Sequence, residues 1–221
     1  IKIMYSATEL LSDEVKKVAQ LKGLTINAYY DSDPFNPRKE WDNLGTLVSR
    51  GRNYCDEVYP SDVDIGNDIF DTATNFFKHH KIPLDSVVWL PIYSYTHGNV
   101  AYRCTAPYEC RFDGGVYGFI YATKEKIREC YGVKRVTKDI LERVHNCFKG
   151  EVSIFEQWCN GEVYGITIDN PVTNVESTWG IFGSDLDEVA MDMLAECDAY
   201  LNQEYEPAKA ENLKNRFVKT A

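Results

Sequence analysis

Asp31, Asp33 and Asn36 follow one another in D-x-D-x-x-N spacing within the stretch DSDPFNPRKEWDNLG, residues 31–45. Side-chain oxygens spaced this way are hard ligands of the kind that hold Mg²⁺ or Ca²⁺, and Asp42 would add another. The stretch is not an EF-hand loop, since Asn36 stands where the sixth-position Gly belongs and Asp42 where the twelfth-position Glu belongs. Arg38, Arg50 and Arg52, with Lys39, could hold a phosphate or carboxylate beside such an ion. Together these residues would make a metal-dependent or phosphate-handling enzyme. The same residues also satisfy a plainer reading. Asp and Asn bond their own backbone beside Pro34 and Pro37, Asp42 caps the segment NLGTLV, and the bases neutralise Asp31, Asp33, Glu40 and Asp42 in an internal ion network. Trp41 would then anchor the loop to the core. Capping accounts for every residue type in the stretch, so a capped turn is the expectation.

Other chemistry is thinner. His97, in YTHGN, could serve a thiol nucleophile, with Cys104 or Cys110 as the partner. His79 and His80 close an amphipathic segment, where a histidine complements the helix dipole. FDGGVYGFIY carries G-G-x-x-G but opens a strand rather than a helix, so it fails as a dinucleotide or phosphate loop. Gly114 and Gly115 read instead as a hairpin turn after Asp113. No metalloprotease, kinase or serine-hydrolase motif is present, and no cofactor is implied.

The elements that would position these residues alternate between helix and strand. Ser12 caps a helix that Gly23 stops. LTINAYY (24–30) reads as a strand. Ile65, Ile69, Ala73, Phe76 and Phe77 form one helical face. SVVWLPIYSY (86–95) is a buried strand bent at Pro91, and GNVAYRC (98–104) returns beside it. GGVYGFIYAT (114–123) is the clearest strand. Thr123 caps a short helix ending at Gly132, and Thr137 caps a longer one with Ile140, Leu141, Val144, Cys147 and Phe148 inward. Residues 162–170 and 175–183 are two strands joined near Asn170-Pro171. From Asp185 the chain is helical, with Leu186, Val189, Ala190, Met193, Leu194, Cys197 and Leu201 at helical spacing. The fold class expected is α+β, one compact domain with a mixed or antiparallel sheet flanked by helices. Residues 1–183 form its core, and 184–221 form an acidic helical segment on or beyond it.

Composition agrees with a folded chain. Of the 221 residues 44 % are hydrophobic and 13 % aromatic, ample for a core. No apolar run approaches the roughly 20 residues of a bilayer span, and the first residues are not framed as a signal peptide. The seven cysteines, 55, 104, 110, 130, 147, 159 and 197, are odd in number, and none form C-x-x-C. They read as reduced thiols in a cytoplasm, Cys104 and Cys110 being the only pair near enough to suggest a bridge. Tyr93, Tyr95, Tyr102, Phe112, Tyr117, Phe119 and Tyr121 could stack bases, but few basic residues accompany them. Packing within the core and across strand faces is expected of them instead.

Charge is the strongest anomaly. Residues 1–150 balance at 20 basic and 20 acidic, whereas 151–208 hold 13 Asp/Glu and no Lys or Arg. The net charge is −10. Asp185, Asp187, Glu188, Asp192, Glu196, Asp198, Glu204 and Glu206 have no basic residue between them. Like charges this dense oppose folding, whereas a mixed helix gains from i,i+4 pairs. A solvated face is one account. The other is imitation of a nucleic-acid backbone, offered to the basic groove of a partner protein. Such a field repels free nucleic acid, so no direct nucleic-acid binding is expected.

The segments DPFNPRKEWDNLGTLV (33–48), GFIYATKEKIRECYGVKRVT (118–137) and GEVYGITI (161–168) resemble, in this order, bacteriophage-encoded accessory proteins with the signature D-P-x-x-P-R-x-x-W-D-N-L-G. The resemblance covers residues 24–183 and carries over no catalytic residue. It implies a product made in the cytoplasm of an infected bacterium. Accessory phage proteins often disable host machinery, including restriction enzymes and CRISPR effectors. The resulting expectation is a phage inhibitor that binds a host nucleic-acid-handling or defence protein through its acidic third, without enzymatic activity, membrane or cofactor.

Overall fold

The structure, a computed structural model, describes residues 4–51, 54–110, 112–169 and 176–197. In chain order it forms α1 (Asp13–Leu21), β1 (Thr25–Tyr30), α2 (Pro37–Glu40), β2 (Thr46–Ser49), β3 (Glu57–Val58), α3 (Ile69–His79), β4 (Val87–His97) and β5 (Asn99–Arg103). Then come β6 (Gly114–Thr123), α4 (Lys124–Tyr131), α5 (Lys138–Cys159), β7 (Val163–Asp169), β8 (Glu176–Phe182) and a helix over residues 186–197, here α6. The fold is α+β. Among the described residues one sheet is antiparallel, in the order β1-β7-β8. The other is mixed, in the order β3-β2-β6-β4-β5, with β2 and β3 parallel. No helix among them is long and apolar enough to cross a membrane.

The caps follow the sequence. The hydroxyl of Ser12 accepts from the Val15 N–H at 3.3 Å, that of Thr123 from Lys126 at 3.2 Å and that of Thr137 from Ile140 at 3.4 Å. Each removes one orphan donor from a first turn. Gly23 (φ 68°) and Gly132 (φ 63°) end α1 and α4 in the left-handed region that favours glycine. The turn expected near Asn170-Pro171 lies outside the described residues.

Contacts group the chain into two compact units, residues 1–34 with 161–221, and residues 35–160. In the first unit Ile26 pairs with Ile168 and Ala28 with Ile166 across β1 and β7. These four share a core with Leu11, Val15 and Ala19 before and along α1, and with Leu186, Ala190 and Leu194 on α6. The acidic helix is therefore part of this unit's core.

The second unit buries its sheet on both faces. Phe148, Val152 and Phe155 of α5 pack with Leu47, Ile92 and Ile120. Phe76 and Phe77 of α3 pack with Val48 and Phe119 on the other face. A bulge interrupts β6. Ile92 lies opposite Gly118 and Tyr93 opposite Val116, so Tyr117 is the extra residue. The bulge reverses the in–out alternation and turns Tyr117 onto the α5 face, beside Ile120. Gly118 is required there, because a Cβ would stand 1.8 Å from the Val48 carbonyl oxygen. Gly118→Ala is expected to cost about 3 kcal/mol, the upper end for over-packing, because the obstacle is main chain. A chemical denaturation midpoint within error of the parent would refute the bulge geometry.

Helix α5 also seals the outer edge of β5. The Asn160 side chain accepts from the Val100 N–H at 2.8 Å and donates to the Val100 carbonyl at 2.9 Å, and Glu156 accepts the Tyr102 N–H. Three edge groups that could pair with another chain, the Val100 N–H and carbonyl and the Tyr102 N–H, are thereby occupied.

Candidate functional site

The acidic face is built on α6. Its inner side, Leu186, Ala190, Met193, Leu194 and Cys197, is buried. Asp185, Glu188, Asp192 and Glu196 are exposed. Glu188, Asp192 and Glu196 recur every four residues, so they form one stripe rising about 12 Å along the helix. Two contacts from α1 fix the helix. Asp187 accepts the Ser12 N–H at 3.0 Å, and Lys22 donates from Nζ to the Leu194 carbonyl at 3.0 Å. Asp187 is thus committed to structure, and its half-buried carboxylate is turned toward the start of α1. Asp185 and Glu188 lie where the helix dipole favours negative charge, but Asp192 and Glu196 lie beyond its first turn. Asp198, Glu204 and Glu206 fall outside the described residues.

The charge imbalance follows the packing units. Residues 1–34 with 161–221 hold 8 Lys/Arg and 17 Asp/Glu, whereas 35–160 hold 16 and 17. The first unit therefore carries −9 of the total −10. Two acids of the tract belong to the second unit and are consumed there. These are Glu156, which caps the β5 edge, and Glu151, described next.

Arg38 does not face solvent. Its side chain is 1 % exposed. Nε donates to Asp56 at 3.1 Å and Nη2 to the same carboxylate, Nη1 to Glu151 at 2.9 Å, and Nη2 also to the Gly45 carbonyl at 2.6 Å. Burial pulls the guanidinium pKa down, but the hydrogen bonds and charges of Asp56 and Glu151 outweigh it and hold the pKa above its ordinary value. An external anion cannot reach this group, which corrects the anion-binding expectation for Arg38. The acids paired with it are Asp56 and Glu151, not the neighbouring Asp31, Asp33, Glu40 and Asp42 that the sequence suggests. Glu151 also accepts the Leu44 and Gly45 N–H groups at 2.7 and 3.1 Å, doing the capping expected of Asp42. Trp41, expected to anchor the loop, is 51 % exposed.

Two of the four proposed oxygen ligands have local duties. Asp31 accepts the Asp33 N–H at 3.0 Å, an Asx turn. Asn36 accepts the Arg38 N–H at 2.8 Å as the cap of α2, with Pro37 at its first position. Asp31 and Asp33 belong to the first unit, Asn36 and Asp42 to the second. Among the described residues no group of three or more His, Cys, Asp or Glu side chains is placed to hold a metal ion. Arg50 lines a cleft in the second unit, and Arg52 lies outside the described residues.

None of the seven cysteines forms a disulfide. His97 Nδ1 lies 3.5 Å from an Asp113 carboxylate oxygen, and Cys110 donates to the same oxygen at 3.6 Å. The acid stands between thiol and imidazole, whereas a base that activates a thiol must touch it. Burial raises the Cys104 thiol to about 11, away from nucleophilic character. Of the aromatics expected in the core, Tyr93 and Phe119 are buried, but Phe112 is 98 % exposed.

Neither a family model, nor a curated protein, nor a solved structure matches this chain.

Proposed function

We propose that the protein is a binding protein whose acidic first unit occupies the basic, nucleic-acid-binding surface of a host protein and thereby inhibits it. The observation that carries this reading is segregation of charge. Nearly all the net charge sits in one unit, and its exposed stripe is held on a helix whose other side is core. Glu188, Asp192 and Glu196 stand at i,i+4 spacing, where like charges cost stability. A basic groove evolved for phosphates repays that cost through complementary charge. The resemblance to phage accessory proteins supplies the setting, the cytoplasm of an infected bacterium. Restriction enzymes and CRISPR effectors are the partner class.

Glu188→Lys, Asp192→Lys and Glu196→Lys combined are expected to lower affinity at least tenfold and to flatten the salt dependence of binding. The measurement is capture of nucleic-acid-binding proteins from host lysate on the immobilised chain, with double-stranded DNA as competitor. Capture that DNA fails to displace, or that survives triple reversal at physiological salt, would overturn the reading.

A further inference from the structure

The second unit holds a cleft that the acidic face does not use. One end, about 250 Å³, is bordered by Ser49, Arg50, Ser94 and Thr96. The adjoining end, about 310 Å³, is bordered by Tyr54, Phe155 and Trp158. Val100, Tyr102 and Tyr117 border both, so the two ends meet along one wall. The larger end alone reaches the roughly 300 Å³ at which small-molecule sites begin.

The two ends differ in chemistry. Arg50 makes no ion pair among the described residues, in contrast to the sealed Arg38. Its backbone N–H donates to the Tyr117 carbonyl at 3.0 Å, which fixes it beside the β6 bulge. A guanidinium flanked by hydroxyls is a recognition set for phosphate or carboxylate. At the other end three rings lie nearly parallel. Tyr102 and Phe155 are inclined by 13° at 5.9 Å, and Phe155 and Trp158 by 15° at 6.2 Å. Tyr54 leans on Trp158 at 5.7 Å although it is 58 % exposed. A further flat ring would continue this row and cover exposed aromatic surface.

The wall is formed in advance. The Tyr102 and Val100 main chain is held by Glu156 and Asn160, and the bulge aims Tyr117 into the cleft. Bulges commonly re-aim a side chain beside a functional site. This unit is also nearly neutral, so an anion meets no general repulsion.

We propose that this cleft binds a planar heteroaromatic ring bearing an anionic group, of mononucleotide size, with the ring against Trp158 beside Tyr54 and the anion on Arg50. Nucleoside monophosphates and aromatic carboxylates share this chemistry, and the test separates them. The full chain is titrated by calorimetry with AMP, GMP, CMP and UMP, with the matching nucleosides, with inorganic phosphate and with indole-3-acetate. Saturable binding of a monophosphate is expected, tighter than its nucleoside and than phosphate alone. Saturation by indole-3-acetate in place of nucleotides would assign the site to carboxylates and uphold the shared chemistry. Arg50→Gln is expected to weaken anion binding about 10- to 100-fold and leave nucleoside binding unchanged. Tyr54→Ala, at an exposed position where folding is not at stake, is expected to weaken nucleoside and nucleotide alike. Absence of saturable binding of every probe up to about 1 mM would overturn the proposal. Equal affinity of the parent and Arg50→Gln for the best probe would also overturn it.

Discussion

Arg38→Ala is expected to lower stability by about 3–5 kcal/mol, the range for breaking a buried ion pair by removing one partner. The guanidinium is the shared donor for Asp56, Glu151 and the Gly45 carbonyl. Its loss leaves two carboxylates whose side chains are 19 % and 11 % exposed without their cation. Both carboxylates also accept main-chain N–H groups, Asp56 from Leu47 at 2.6 Å and Glu151 from Leu44 and Gly45. The damage therefore spreads to the entry of β2. Urea unfolding measures the loss, and hydrogen exchange locates it. Amides of 44–58 and of α5 should lose protection while those of α1 and β1 keep theirs. Arg38→Lys should recover only part of the loss, because an ammonium cannot reproduce the forked geometry. A midpoint shift equivalent to less than about 1 kcal/mol for Arg38→Ala would show that the network is surface-like.

Phe76→Ala is expected to cost a similar 3–5 kcal/mol, through loss of transfer energy and the cavity left behind. Phe76 is fully buried and is the hub of an aromatic cluster. Its ring centroid lies 5.2 Å from Phe119, 5.7 Å from Phe77, 5.9 Å from Tyr59 and 6.0 Å from Tyr121. The His80 ring packs against it, tilted by 36° with centroids 4.3 Å apart, so the close of α3 is held by the same residue. Phe76→Leu keeps most of the volume and should cost less than half as much. Equal losses for the two variants in urea denaturation would mean that the ring contacts, rather than the volume, set the effect.

The parts of the fold that could be read from sequence are those whose causes are local. Ser12, Thr123 and Thr137 cap because each hydroxyl needs only an N–H three residues ahead. Gly23 and Gly132 stop helices because each sits at a left-handed turn. The strand GGVYGFIYAT is legible because it is apolar on both faces, as a central strand must be. What could not be read depends on pairings across the chain. Arg38 finds Asp56 18 residues away and Glu151 113 away, and nothing in DSDPFNPRKEWDNLG announces either. The acidic tract was visible as a run of one sign. Its division into an exposed stripe and the structural carboxylates of Asp187, Glu151 and Glu156 required their partners. The cleft was hidden for two reasons. Phe155 and Trp158 continue the buried side of α5 and read as core. Tyr117 reaches the cleft only through a bulge that no alternation pattern displays. The signals that could have exposed it are an arginine, Arg50, and an aromatic, Tyr54, close together in sequence and outside any strand or helix.

The interrupted first unit has a consequence for the order in which the chain is made. β1 pairs with β7, Thr25 opposite Asp169, yet the whole of residues 35–160 lies between them. At roughly 5–20 residues per second, β1 leaves the ribosome some 7–27 s before β7 exists. During that interval α1 and β1 must wait with Ile26 and Ala28 uncovered. The second unit, continuous in sequence, is already complete. Its folding shortens the effective loop that β1 and β7 must close, which removes part of the entropy that the long connection, residues 31–162, would otherwise exact. The acidic helix, last of the described elements to emerge, then covers the β1–β7 pair. On this order of events, the surface proposed to bind a partner forms only after the other described elements have folded.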